Sequence, residues 1–177
     1  MKKYLFITVF TTLIISCQSP NNNQENQINS SQKLKEEVVL KDYGANPLVI
    51  NIEDYTLENE DFRTAIWTGD HFQLTVMSVP VGGEVGLEVH HDIEQFLRIE
   101  QGNAEVLMGD TETQLSFTKK ISDDDIIIVP AGKWHNVINV GTVPLKLYSI
   151  YAKPEHPFGT IHKNKAESDE AHEAHEH

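Results

Sequence analysis

Short apolar runs separated by polar turn residues fill the chain between residues 46 and 151. The runs are rich in Val, Ile, Phe and Tyr, and Gly, Asp, Asn or Pro stands between them. Such runs predict strands, because no stretch there has the longer repeat of an amphipathic helix. The predicted strands are residues 48–52, 64–67, 72–79, 96–99, 104–108, 114–118, 126–129, 137–140 and 145–151. We therefore expect an all-β fold, an antiparallel sandwich or barrel.

The N-terminus has a different pattern. Lys2 and Lys3 precede an apolar run at residues 4–15 that is too short to span a bilayer comfortably. The run ends in Ile-Ile-Ser-Cys, which resembles the lipobox of bacterial lipoproteins, where cleavage precedes a lipidated cysteine. Cys17 is the only cysteine, so it forms no internal disulfide. We predict a signal peptide at residues 1–16 and an exported protein anchored through lipid on Cys17 in the cell envelope, on the periplasmic face. The alternative is a plain signal peptide with an incidental cysteine.

Polar segments flank the strand region on both sides. Residues 17–45 begin with Cys17 and a stretch rich in Asn, Gln and Ser, which predicts a flexible tether and a lead-in to the fold. Residues 46–165 predict a single domain with a C-terminal extension. Residues 166–177 predict a disordered acidic tail, which is either solvated or a loose buffer for Zn, Ni or Cu ions. Its histidines are His172, His175 and His177.

The charge balance limits the partners of the protein. A formal net charge of −13 excludes nucleic acid, whose phosphates would be repelled, and argues against electrostatic docking on anionic lipid. Membrane association would then depend on the acyl chains attached at Cys17. We expect a small organic molecule as the ligand of the domain.

Candidate metal ligands lie in the stretch GGEVGLEVHHDIEQFLRIEQG, residues 82–102. Residues two apart share one face of a strand, so Glu88 and His90 project together. We choose Gln95 over Glu94 because this register turns the following apolar residues inward and Arg98 outward. His135, which follows a Pro-Ala-Gly turn, completes a set of two imidazoles, one carboxylate and one amide. Nitrogen and oxygen donors without thiolate suit Fe, Mn, Ni or Zn.

These residues resemble the two motifs of the cupin family. In the first motif the spacing from Gly82 to Gly102 matches, but Glu88 replaces a histidine and Gln95 replaces a glutamate. In the second motif only the leading glycine is replaced, by Asp124, and the remaining matches are Pro130, Gly132, His135 and Asn139. The resemblance covers about residues 64–151 and implies a small jelly-roll barrel with a metal inside it. It also implies a homodimer paired through the sheets. The alternative is a barrel that has lost its metal, with the four side chains hydrogen-bonded to one another.

Further polar residues stand outside the proposed ligand set. If Leu145 and Leu147 point inward, Tyr151 lines the cavity and Tyr148 does not, which makes Tyr151 a candidate substrate contact. We expect His71 and His91 to be exposed and Trp134 and Asn136 to be packing or turn residues. For His156 and His162 surface positions are favoured over a place above the barrel mouth.

Three functions are open from the sequence. The first is a metal-dependent enzyme acting on a small polar organic ligand, an isomerase, lyase or dioxygenase, in which Glu88 could serve as the base. The second is a non-catalytic binding module for a small molecule. The third is metal handling through the histidine-rich tail.

Overall fold

The computed structural model of the protein describes residues 37–175. The predicted signal peptide, Cys17, most of the predicted tether and His177 lie outside the described residues. From Val38 onward the chain belongs to one compact unit. No helix within residues 37–175 is long and apolar enough to cross a membrane.

A six-stranded antiparallel sheet forms the larger layer, in the order β6-β3-β8-β2-β1-β9. Its strands are β1 (Arg63–Thr68), β2 (Gln73–Val79), β3 (Glu94–Gln101), β6 (Ile126–Val129), β8 (Leu145–Ala152) and β9 (Ile161–His162). Strand β3 lies between β6 and β8, with Gln95 opposite Val129 on one side and Tyr151 on the other. This sheet therefore brings Gln95 and Tyr151 side by side.

A three-stranded sheet, ordered β5-β4-β7, forms the second layer. Its strands are β4 (Asn103–Gly109), β5 (Phe117–Ser122) and β7 (Trp134–Asn139). The two antiparallel sheets confirm the predicted all-β jelly roll. They do not close into a barrel, because the edge strands of one sheet form no continuous ladder with those of the other. Only isolated bridges connect the loop at residues 80–93 to β7.

The core between the sheets follows the alternation of each strand. Leu97 and Ile99 of β3 and Leu145 and Leu147 of β8 are buried in one cluster. Arg98 points away from it and is partly exposed, as the predicted register requires. Strand β6 lies at the edge of its sheet. It is buried on one face only, and Ile128 on its other face is exposed.

The prediction of a strand at residues 48–52 is wrong. The chain there is irregular and leads into helix α1 (Ile52–Glu58). The edge of the sheet beside β1 is taken by β9, so no ladder position remains for this segment. Glu53 and Asp54 lie in the first turn of α1, where acidic side chains complement the helix dipole.

The expected disordered tail is likewise corrected, because helix α2 spans Lys165–His175. The helix begins at Asn164, whose side-chain oxygen accepts from the backbone N–H of Glu167, 3.1 Å away. The Glu167 carboxylate in turn accepts from the Asn164 amide and from the backbone N–H of Lys163. This reciprocal cap, with an ion pair between Lys165 and Asp169, gives the acidic segment a defined start.

Candidate metal centre and adjoining cavity

Two backbone bridges fix the positions of the candidate ligands. The N–H of Glu88 donates to the carbonyl of His135 at 3.0 Å, and the N–H of His135 donates to the carbonyl of Glu88 at 2.9 Å. The N–H of Gly132 donates to the carbonyl of His90 at 2.7 Å. The loop that follows β2 is thereby held against β7, and the two halves of the candidate site meet without a regular strand at residues 88–90.

Glu88, His90 and His135 form a compact cluster. One potential ligand atom from each lies within 4.8 Å of the other two. Oε1 of Glu88 lies 3.3 Å from Nε2 of His135 and 3.4 Å from Nε2 of His90. Both histidines are buried. The arrangement could hold a metal ion.

The donor atoms of this cluster have no hydrogen-bond partner among the described residues. This holds for Oε1 of Glu88 and for Nε2 of both His90 and His135, all of which are buried. Buried polar atoms without partners are rare in proteins and call for an explanation such as a bound ion. Nitrogen and carboxylate oxygen atoms that converge in this way fit a divalent transition metal.

The side-chain oxygen of Gln95 is likewise a buried donor atom without a partner among the described residues. The amide Nε2 of Gln95 donates to Oγ of Ser149 at 3.0 Å. Its neighbour across the sheet, Tyr151, has its ring 5.7 Å from that of His90. Glu94 is exposed, so the register that favours Gln95 over Glu94 is the one observed.

The outer nitrogen of each imidazole is oriented by a second group. Nδ1 of His135 lies 3.0 Å from the carbonyl oxygen of Lys133, which can only accept a hydrogen bond. Nδ1 of His90 lies 3.4 Å from a carboxylate oxygen of Glu155. Each contact leaves Nε2 directed at the cluster, and such partners orient metal-binding histidines in known sites.

The cluster is strongly coupled in charge. Burial alone would raise the pKa of Glu88, but the contacts with His135 and His90 and the charge of Arg63 outweigh it and hold that pKa well below its usual value. Burial would lower the pKa of His90, but the carboxylates of Glu155 and Glu88 outweigh it and raise the pKa to about 9. Glu88 is therefore ionised near neutral pH, and a metal ion would compete with a proton for His90.

The remaining motif residues build the turns. The side-chain amide of Asn139 donates to the carbonyls of Val79, Pro80 and Val143, within 2.9–3.1 Å. Asp124, which stands where the family has glycine, has a φ of 69°, a conformation that aspartate tolerates better than most residues. The amide of Asn136 donates to Glu84, so this residue has the packing role expected of it.

A cavity of about 380 Å³ adjoins the cluster. Residues 85–88 of the first motif form part of its wall, and the rest comes from segments outside the two motifs: strand β1, the segment at residues 155–162 and helix α2. Arg63 and Glu155 lie in this wall. Sequence reasoning missed Arg63 and Glu155, since neither stands in a motif. For helix α2 a signal was available in the reciprocal spacing of Asn164 and Glu167.

The structure corrects the expected surface positions of His156 and His162 and agrees with those of His71 and His91. His156 and His162 are not on the open surface but line the cavity, with their rings 6.2 Å apart. The cause is a pair of hydrogen bonds between Gln73 and the backbone of His156, which pull the extension onto the sheet. His71 and His91 are exposed as expected.

Tyr151 is fully buried, as the inward direction of Leu145 and Leu147 predicts. Its ring lies 5.2 Å from that of His156, and its hydroxyl has no hydrogen-bond partner among the described residues. Burial raises the pKa of Tyr151, so the hydroxyl stays protonated near neutral pH. Tyr148 lies on the other face, beside Phe96.

Comparison with known proteins agrees with this geometry. The model of the cupin domain matches residues 75–151. The uncharacterized protein YrkC of Bacillus subtilis strain 168 is 56% identical over 131 residues, which cover 74% of this chain and 70% of that protein. The uncharacterized protein L612 of Acanthamoeba polyphaga mimivirus is 37% identical over 122 residues, 68% of this chain and 74% of that protein.

A solved structure is also similar. The crystal structure of BH2720 from Bacillus halodurans is 53% identical, with a TM-score of 0.73, and the similarity covers 74% of this chain and 99% of that one. The family model, the relatives and the jelly-roll fold with its Glu-His-His cluster lead to one conclusion. This chain belongs to the cupin superfamily.

Proposed function

We propose that this protein binds one divalent metal ion through Glu88, His90, Gln95 and His135 and acts with it on a small polar organic ligand. The observation that carries the proposal is the set of four buried donor atoms, one from each residue, that have no hydrogen-bond partner among the described residues. Oε1 of Glu88 lies 3.3–3.4 Å from Nε2 of both histidines without meeting hydrogen-bond geometry, so a metal-free cluster would leave these donors poorly satisfied. A bound cation would satisfy all four.

The donor set is consistent with Fe, Mn, Ni or Zn, because it contains imidazole, carboxylate and amide oxygen and no thiolate. One formal negative charge from Glu88 offsets half the charge of a divalent ion. The amide of Gln95 is the weakest of the four ligands. Ser149 holds it by accepting a hydrogen bond from Nε2, which keeps Oε1 as the donor to the metal.

A metal at this position would supply a Lewis acid for a carbonyl or carboxylate, or a site for dioxygen, so isomerase, lyase and dioxygenase reactions fit. Because Glu88 lies between the two histidines, we assign it to the metal rather than to proton transfer. Tyr151 stays protonated and can donate a hydrogen bond to a ligand bound at the cluster. Glu155 and the Lys133 carbonyl hold the imidazoles in place.

The first test is elemental analysis of the purified chain beside the variants Glu88→Ala and His135→Ala. We expect close to one metal ion per chain in the parent and a loss of that ion in both variants, because each removes a direct ligand. His91→Ala, which removes an exposed histidine next to the site, is the matched control and should keep the metal.

No bound metal after purification and reloading would contradict the proposal, and a non-catalytic binding module would then be the better description. If metal is present, turnover is screened with small carbonyl compounds and sugar acids. Conversion of a compound by the parent chain but not by His135→Ala would identify the activity as that of the cluster.

The proposal includes export through residues 1–16 and lipid attachment at Cys17 in the cell envelope. Cys17→Ser should release the protein from the membrane fraction, and mass spectrometry of the parent should show acyl chains on Cys17. We also propose a homodimer, with no nucleic-acid partner. A monomeric mass in light scattering at micromolar concentration would contradict the homodimer.

A further inference from the structure

The chain has two arginines, and they differ in their counter-ions. Arg98 is partly exposed and forms ion pairs with Glu100 and Asp124. Arg63 is 2% exposed and forms no ion pair with any carboxylate that the structure describes. A buried charge without a counter-ion is costly, so Arg63 is the unusual member of the pair.

The contacts of Arg63 leave donors unused. Its Nη1 donates to Oγ of Ser168 on helix α2, a neutral partner. Its guanidinium carbon lies 5.5 Å from the centre of the Phe62 ring. Its Nε is buried and has no partner among the described residues. Arg63 is one of the residues that line the ligand-sized cavity in whose wall Glu88 also lies.

The acidic side chains of the same cavity are already paired with other groups. Glu88 contacts both cluster histidines, and Glu155 contacts Nδ1 of His90. Asp169 pairs with Lys165 at 2.8 Å. A metal ion at the cluster would engage the charge of Glu88 further. Arg63 therefore makes a direct ion pair with none of these three residues, although its charge favours the ionised form of Glu88.

We propose that Arg63 binds the carboxylate of a small organic acid held in this cavity next to the metal, an assignment of ligand class that rests on the metal site proposed above. A guanidinium presents its N–H groups as a planar fork that matches two carboxylate oxygens. The cavity volume of about 380 Å³ suits a small acid. Ser168 then holds the guanidinium in place from the helix side.

Two neutral imidazoles complete the binding surface. Burial, together with the charge of Arg63, lowers the pKa of His156 to about 2 and lowers that of His162. Both are therefore uncharged at neutral pH. Nε2 of His156 and Nδ1 of His162 are buried without partners among the described residues, so they are available to hydroxyl or carbonyl groups of the acid.

The test is calorimetric titration of the full, metal-loaded chain with acetate, malonate and citrate. Acetamide and malonamide serve as uncharged controls of similar shape. The net charge of −13 opposes general anion binding, so an affinity for the acids over the amides reports a specific site. We expect Arg63→Met to weaken binding of the preferred acid at least about 10-fold, the range for a lost charged hydrogen bond.

Three further variants make the result decisive. Arg63→Lys keeps the charge but loses the fork, so it should bind the acid with intermediate affinity. This variant replaces Arg63→Met in the comparison if Arg63→Met folds poorly. Arg98→Met, the matched control, should bind as the parent does. Ser168→Ala removes only the hydrogen bond that positions the guanidinium, so it should weaken acid binding less than Arg63→Met does. A loss as large as that of Arg63→Met would overturn the assignment, because Arg63 would then act only by holding α2.

Metal content, measured on the same samples, separates the two proposals. The role of Arg63 is overturned, and the metal site left intact, by either of two results. The first is equal acid affinity in the parent and Arg63→Met at full metal content. The second is that the parent prefers no acid over its amide. A parent chain that takes up no metal at the cluster overturns both. Loss of acid binding in Arg63→Met with metal content unchanged supports the assignment.

Discussion

The metal cluster and the outer wall of the cavity come from different parts of the chain. All four proposed ligands stand at motif positions: two lie on the β2–β3 loop, Gln95 lies in β3 and His135 lies in β7. All four fall within residues 75–151, the part that the cupin model matches. Arg63, Glu155, His156 and helix α2 fall outside it. On the proposed assignments, the shared cupin framework would supply the metal ligands and the flanking segments would contact the organic ligand.

The two regions also differ in how their polar atoms are used. In the cluster, each imidazole has one nitrogen oriented by a partner and the other directed inward. In the wall, helix α2 has an ion pair and a cap that are complete without a ligand, whereas Arg63, His156 and His162 each keep a buried nitrogen atom without a partner among the described residues. This difference predicts that variants in the cluster change metal binding and that variants in the wall change ligand binding.

Removal of the metal should have the largest effect. Chelation should lower the free energy of unfolding by about 2.7 kcal/mol when free metal is about 100 times its dissociation constant. Denaturant titration of the metal-loaded and chelated chain measures this difference. The same treatment of His135→Ala is the control and should change little, whereas an equal loss in that variant would place the stabilising metal elsewhere.

Glu155→Gln should have the next largest effect, and it tests whether the two regions are truly separate. Glu155 belongs to the flanking segment but contacts Nδ1 of His90. Loss of its charge should weaken metal binding by about 10- to 100-fold, the range found for outer partners of metal-bound histidines. Competition with a metal indicator measures the affinity. Asp92→Asn, a change to an exposed acid of the β2–β3 loop that pairs with Lys153, is the control. Unchanged affinity in Glu155→Gln would mean that Glu155 does not orient His90.

Much of the fold could be predicted from the sequence, because strand alternation is a local property. The register of β3 followed from the choice between burying Arg98 and burying Gln95, and Tyr151 followed from Leu145 and Leu147. The approach of Glu88 to His135 was predictable only through the motif spacing. Arg63 and Glu155 were not predictable, since they reach the cavity through β1 and through an extension that Gln73 fastens by hydrogen bonds.

Deletion of residues 166–177 should have a smaller effect on stability and none on metal bound at the Glu88 cluster. The deletion removes Ser168 and the pair between Lys165 and Asp169, a loss of about 1 kcal/mol for the partly buried hydrogen bond from Arg63 to Ser168. Elemental analysis should still find about one metal ion per chain. Loss of most of the metal would instead favour metal handling by the tail, and Ser168→Ala in the full chain separates the hydrogen bond from the rest of the helix.

Tyr151→Phe should have the smallest effect on stability. The Tyr151 hydroxyl is buried and has no partner among the described residues, so its removal leaves no group unpaired and relieves a desolvated one. We expect the free energy of unfolding to stay within about 1 kcal/mol of the parent or to rise. Tyr148→Phe, on the opposite face of β8, is the matched control, and both are compared by denaturant titration with metal bound. A loss of unfolding free energy well above that of the control would show that the Tyr151 hydroxyl has a hydrogen-bond partner in solution. That partner would then be the cluster rather than a ligand.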